Sequence, residues 1–137
     1  MALFVDTSAW YAAVDAGDSA HARAKALLST GESLDTSDHV LVETWSLLDV
    51  RIGSEVAERF WQRLRTAKVG IQFVEPADLE AAWTIGQKFS DQDFSVVDRS
   101  SFAIMERLRL SRVVSFDAHF AIYRYGTRRE KAFEVLR

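Results

Sequence analysis

Cysteine is absent from the 137 residues. That removes disulfides, thiolate zinc sites and a cysteine nucleophile, and it fits a reducing cytoplasm. Proline occurs once and glycine six times, with no low-complexity stretch, so neither a disordered chain nor a Pro/Gly-rich linker is indicated. No apolar run reaches the ~18 residues of a membrane-spanning helix. The apolar opening at residues 1–5 is too short for a secretory signal and lacks a basic start. The three histidines, His21, His39 and His119, show no paired HxxxH-type spacing, so a histidine zinc site has no support.

What the chain does have is ordinary core material: 48% hydrophobic residues, four Trp and nine Phe, with 27% charged residues. A length within the usual ~100–150 residues, with no internal repeat, reads as one domain over residues 1–137. The net charge of −3 argues at first against a nucleic-acid partner, but the charge is unevenly placed. Residues 1–98 carry 8 basic and 16 acidic side chains, whereas residues 99–137 carry 9 and 4. An acidic body with a basic final third is able to hold cations in one place and phosphates in another; two differently solvated surfaces give the same count.

The short apolar run at residues 2–5 reads as a buried strand, and residues 33–36, 69–74, 112–116 and 132–136 read as further strands. Helical patterns lie between them, at residues 9–14, 21–28, 38–52, 55–68, 76–89, 96–110 and 118–125. Gly53 stops the third, and Pro76 opens the fifth, where its missing N–H costs least. Alternating strands and helices predict an α/β fold, a mostly parallel central sheet flanked by helices. In such sheets, sites lie beyond the carboxyl ends of the strands. Asp6 follows the first strand, and Asp117 follows Val113-Val114-Ser115-Phe116.

Four acids carry the chemical argument. Asp6, before Thr7-Ser8, fits a helix N-cap as well as a functional carboxylate. Glu43 shares a helical face with Val40, Leu47 and Val50, where a carboxylate is costly unless it is paired or binds a cation. Asp98 stands near a helix start, where an anion is favoured. Asp93 and Ser95 compete with it for the cap, which leaves Asp98 free for another task. Asp117 repeats the strand-then-acid arrangement of Asp6. His119, two residues on, reads as structural more readily than catalytic. Four converging carboxylates repel one another unless a divalent cation offsets their charge. An all-oxygen set suits Mg²⁺ or Mn²⁺. Such an ion takes its remaining ligands from water and from substrate phosphate, the equipment of phosphodiester hydrolysis.

The segments Val5-Asp6-Thr7-Ser8, Val42-Glu43-Thr44-Trp45, Ser95-Val96-Val97-Asp98 with Ser101-Phe102-Ala103, and Ser115-Phe116-Asp117 with His119-Phe120 together resemble a PIN domain. More narrowly they resemble the VapC ribonuclease toxins of VapBC toxin–antitoxin pairs. The order and spacing of the four segments make the likeness specific, and it spans nearly the whole chain. The residue two before Asp117 is often Thr in that family; Ser115 keeps the hydroxyl. The resemblance implies a cytoplasmic Mg²⁺- or Mn²⁺-dependent endoribonuclease acting on structured RNA, tRNA or rRNA. It implies that Asp6 and Asp98 are metal ligands, that Glu43 and Asp117 complete the catalytic set, and that the partners are a VapB-type antitoxin and a second copy in a homodimer.

Arg99, Arg107, Arg109, Arg124, Arg128, Arg129 and Lys131 are the candidates for RNA phosphate contact. Trp10, Trp45, Phe94 and Phe120 fit base stacking, and fit core or dimer packing better. Two other readings of the same family are an RNA-processing nuclease without an antitoxin and a non-catalytic binding relative; retention of all four acids speaks against the second. A phosphoacceptor signalling domain, also α/β with clustered Asp, fits poorly because Glu43 falls on a helix.

Overall fold

The computed structural model describes residues 2–137. Its centre is β1, Leu3–Val5, buried at every position. A strand with apolar side chains on both faces belongs inside a parallel sheet with helices on both sides. Four further strands complete the sheet: β2 (Leu34–Ser37), β3 (Val69–Gln72), β4 (Arg112–Val114) and β5 (Glu134–Leu136). Their order is β3-β2-β1-β4-β5, and every pairing is parallel. Phe4 lies opposite Val113 on one side and Asp35 on the other.

Helices α1 (Thr7–Val14), α2 (His21–Leu28), α3 (Asp38–Arg51), α4 (Ser54–Thr66), α5 (Pro76–Lys88), α6 (Val96–Leu108) and α7 (His119–Ile122) connect the strands. Phe4, Leu48, Phe102, Ile104, Met105, Val113 and Phe120 form the innermost core. Near α6 the core is aromatic: Phe102 stacks on Tyr123 at 4.2 Å and meets Phe94 and Phe120 edge-on.

The predicted elements are all present, several of them shorter. The third strand stops at Gln72 rather than residue 74 because its neighbour β2 ends at Ser37, the partner of Gln72. Beyond that point Val74 N–H donates to the Asp38 carboxylate, and Phe73 is exposed. Helix α6 ends at Leu108 because Arg109 turns left-handed (φ 57°) and Leu110 N–H bonds back to Met105. The last helix ends at Ile122 because Tyr125 pairs with Lys131 in a small antiparallel bridge. Ser37 caps α3 by accepting from Val40 N–H, and Ser95 caps α6 by accepting from Asp98 N–H.

The chain steps from β1 through β2 to β3 in one direction and places β4 and β5 on the other side of β1. The crevice at the carboxyl ends of β1 and β4 is therefore the switch point of the sheet, the place where α/β folds build their sites.

Candidate active site

Asp6 sits at that switch point because β1 ends one residue before it and its N–H donates to Val114 of β4. It holds the N-cap position of α1, yet its side chain makes no capping bond. The carboxylate turns instead toward the crevice, 2% exposed, and its Oδ2 accepts from Ser8 Oγ at 3.0 Å and Ser115 Oγ at 2.9 Å. Ser8 Oγ in turn accepts from Phe116 N–H, and Ser115 Oγ from Asp117 N–H. Two hydroxyls from opposite ends of the chain thus clamp one oxygen of Asp6.

Asp98 combines two duties. At the third position of α6 its Oδ2 accepts from Ser95 N–H at 3.0 Å, closing a capping box. The same oxygen pairs with His119 Nδ1 at 2.7 Å. Asp117 Oδ1 accepts from His119 N–H at 2.7 Å, while its Oδ2 lies 3.9 Å from the imidazole. Among the described residues, Asp6 Oδ1, Asp98 Oδ1 and Asp117 Oδ2 receive no side-chain hydrogen bond. Each of the three acids has one oxygen fixed by the protein, and all three residues line the cleft.

Glu43 comes from α3 and lines the same cleft, of about 550 Å³, together with Asp6, Asp98, Asp117 and His119. Its helix is turned differently from the expected face. Val40, Thr44 and Leu48 form the buried stripe, Val50 is 82% exposed, and Glu43 is half-buried at the cleft rim beside Leu47. The acid therefore avoids the core by about one helical position and borders the cleft, without a hydrogen-bond partner among the described residues. Asp93 is exposed and also lines the cleft.

The electrostatics follow from this crowding. Burial, together with the charges of Asp117 and Asp98, pushes Asp6 up to about 7, against the pull of Ser115. Burial and the charge of Asp98 raise Asp117. Burial disfavours the charged form of His119, but the Asp98 hydrogen bond and the charges of Asp98, Asp117 and Asp93 outweigh it and hold the imidazole above its ordinary value. Asp6 and Asp117 are buried, crowded acids whose mutual repulsion His119 offsets only in part.

Ligand atoms of Asp98, Asp117 and His119 lie within 4.8 Å of one another. Asp6 and Glu43 line the same cleft, and a set this rich in carboxylates suits a hard divalent cation. Thr7 supplies an independent sign: it lines the cleft, and its buried hydroxyl has no partner among the described residues. A buried polar atom of that kind calls for water, an ion or a ligand.

His119 is the residue that the sequence undervalued. The available signal was its spacing from Asp117, which lets one short turn supply both a backbone and a ring donor. The expected basic contacts divide. Arg107 is spent on Asp78, which it grips through two 3.0 Å bonds. Arg99 donates to the carbonyls of Phe94, Ser95 and Ala82. Arg107, held in an ion pair with a buried carboxylate, is not free for phosphate. Trp10, Phe94 and Phe120 are buried, and Trp10 Nε1 donates to Thr36 Oγ1.

Comparison with known proteins agrees with this geometry. The PIN domain model matches residues 3–124. The chain is 38% identical over 121 residues to the 23S rRNA-specific endonuclease VapC20 of Mycobacterium tuberculosis, covering 87% of this chain and 92% of that protein. The crystal structure of that VapC20, described as a Sarcin-Ricin loop cleaving toxin, superposes with a TM-score of 0.83 at 34% identity, covering 87% of this chain and 92% of that one. VapBC2 from Rickettsia felis, bound to a DNA fragment from its promoter, shares the fold at a TM-score of 0.62 and 11% identity, with 99% and 98% of the two chains covered.

Proposed function

Because the chain belongs to the PIN domain family, we propose that it is an endoribonuclease, the toxin of a VapBC-type toxin–antitoxin pair, cutting structured RNA in its acidic cleft. The observation that carries the chemistry is the gathering of Asp6, Asp98 and Asp117 in one cleft at the sheet's switch point, each with one oxygen fixed by the protein.

In this reading Asp6 and Asp98 are the principal ligands of a divalent cation, Mg²⁺ or Mn²⁺. Glu43 and Asp117 complete the set from α3 and from the turn after β4. When bound, that ion lowers the pKa of a coordinated water and offsets charge building on the phosphate. The protein's share is orientation. Ser8 and Ser115 fix the Asp6 carboxylate, Ser95 N–H and His119 fix that of Asp98, and the backbone of His119 fixes that of Asp117. Supporting contacts of this kind tune a metal site nearly as strongly as the ligands themselves.

The likeness to VapC20 favours large-subunit ribosomal RNA over tRNA as the substrate. A VapB-type antitoxin and a second copy of the chain are the partners this reading supplies, and the cytoplasm is the compartment where toxin, antitoxin and RNA meet. No helix of the described residues is long and apolar enough to cross a membrane. The deciding experiment maps new RNA 5′ ends after induced expression of the wild type and of Asp98→Asn. A single cluster of ends in 23S rRNA, absent from the variant, is the expected result; identical ends in both would defeat the assignment.

A further inference from the structure

A second concave site lies between the end of α5, Glu106 of α6 and the segment that follows α7. It measures about 630 Å³, and its lining includes Lys88, Phe89, Glu106, Arg124, Tyr125 and Arg129. Among the described residues, none of its three cations forms a salt bridge. Arg124 uses Nη1 on the carbonyls of Ala121, Ile122 and Tyr123, which leaves its other nitrogens outward. Lys88 is exposed. The acid of the site, Glu106, already accepts from Tyr123 Oη at 2.6 Å.

Arg129 is held where it is at a cost. It adopts a left-handed backbone (φ 52°), which disfavours any side chain with a Cβ by about 1–2 kcal/mol. Its guanidinium lies 4.4 Å over the Phe89 ring, and Nη2 donates to Lys88 carbonyl at 3.2 Å. The bridge between Tyr125 and Lys131 closes the turn that carries it. The result is a guanidinium fixed at the mouth of an aromatic groove, with its other donors unused.

One buried ring lies between this groove and the acidic cleft. The Phe94 ring packs on His119 of the cleft at 5.4 Å and on Phe89 of the groove at 5.7 Å. Past Phe94 and Phe89 the groove offers Lys88, Arg124 and Arg129 to a strand that extends from the cleft. Cations position an RNA backbone, and guanidinium and aromatic planes stack unpaired bases. An acidic protein segment would use the cations but not the planes.

We propose that this groove is a second nucleotide subsite, which receives an RNA phosphate on Lys88, Arg124 and Arg129 and an unpaired base against the Arg129–Phe89 stack. It rests on the ribonuclease reading, since the same RNA strand occupies the cleft.

The test uses Lys88→Glu, Arg129→Glu and the double variant, none of which touches the acids. Binding of a fluorescent 23S rRNA stem–loop is followed by anisotropy in EDTA across a salt series. Cleavage with Mg²⁺ is then compared on that stem–loop and on a tetranucleotide too short to span both sites. The double variant is expected to bind the stem–loop at least ~10-fold more weakly and to lose about one to two units of salt slope. Its tetranucleotide cleavage stays within about two-fold of wild type, because the acids are untouched. The single Lys88→Glu, at an exposed position, shows the same direction without a folding question. Unchanged affinity and slope overturn the subsite, as does an equal loss on the tetranucleotide. Loss of an acidic antitoxin peptide with RNA binding intact also overturns it, in favour of a protein-docking surface. A wild type that binds the stem–loop with the expected salt response but never cuts it defeats the ribonuclease reading and leaves the groove standing; a wild type that binds no RNA defeats both.

Discussion

Asp98 caps a helix and faces the proposed cation site with one carboxyl group, and the two duties separate by mutation. Asp98→Asn keeps an oxygen for the Ser95 N–H and removes the charge. RNA cleavage should fall at least about a hundred-fold, while the thermal midpoint stays within a few degrees of wild type. Circular dichroism and a gel cleavage assay check both halves; full cleavage by the variant would end the assignment of Asp98. Ser115→Ala removes one of two hydroxyl donors from Asp6. Because that bond holds the Asp6 pKa down, its loss should raise the pKa further and weaken Mg²⁺ affinity by about 10-fold, read by calorimetry. The same residues fix the response to pH. Asp6, Asp117 and His119 are all shifted upward in the fold, so the folded state binds more protons than the unfolded one between the ordinary and the shifted values. Stability of the metal-free protein then declines as pH rises from about 4 through neutrality. At the acid end Asp78 acts oppositely: burial opposes it, yet Arg107 and the Glu75 N–H hold it below its ordinary value, and its contribution is lost as pH falls. Thermal scans in EDTA should peak between about pH 4 and 5, and Mg²⁺ should raise the midpoint most above pH 7. A metal-free optimum at pH 8 would contradict this electrostatic account.

At the scale of elements, α5 and α6 are joined by the grip of Arg107 on Asp78, whose side chain is 3% exposed. Arg107→Leu strands that buried carboxylate and should cost about 3 kcal/mol, measured by urea denaturation. A loss under ~0.5 kcal/mol would show the pair to be dispensable. The elements themselves were largely legible in the sequence. Three apolar residues before Asp6 and the run before Ser115 could only be buried strands, and Pro76 and Gly53 marked their helices. The strand ends were not legible, because Gln72 stops where a distant neighbour stops, and no local pattern records that. The orientation of α3 was legible only in part. Thr44 reads as polar, yet it takes the buried stripe by bonding to Val40 carbonyl, which moves Glu43 to the rim. The acids were visible because they sit at strand ends. Their supports were hidden, since Ser8 and Ser115 meet across 107 residues and His119 is placed by packing on Phe94. Arg99 and Arg107 looked like surface charge for the same reason: their partners, Ala82 and Asp78, lie on another helix.

For the whole molecule, the prediction concerns the cation. EDTA should stop RNA cleavage, and Mg²⁺ or Mn²⁺ should restore it; cleavage that ignores the chelator would rule out a metal mechanism. The sheet order also has a consequence in time. The cleft forms only when β4 lies beside β1, and the hydroxyl that clamps Asp6 comes from Ser115, 109 residues later. During synthesis the first acid emerges early, with Ser8 beside it but without Ser115, Asp98 or Asp117. A chain still being made therefore holds Asp6 long before Asp98, Ser115 and Asp117 exist to join it, and the cleft is assembled late in synthesis rather than carried from the start.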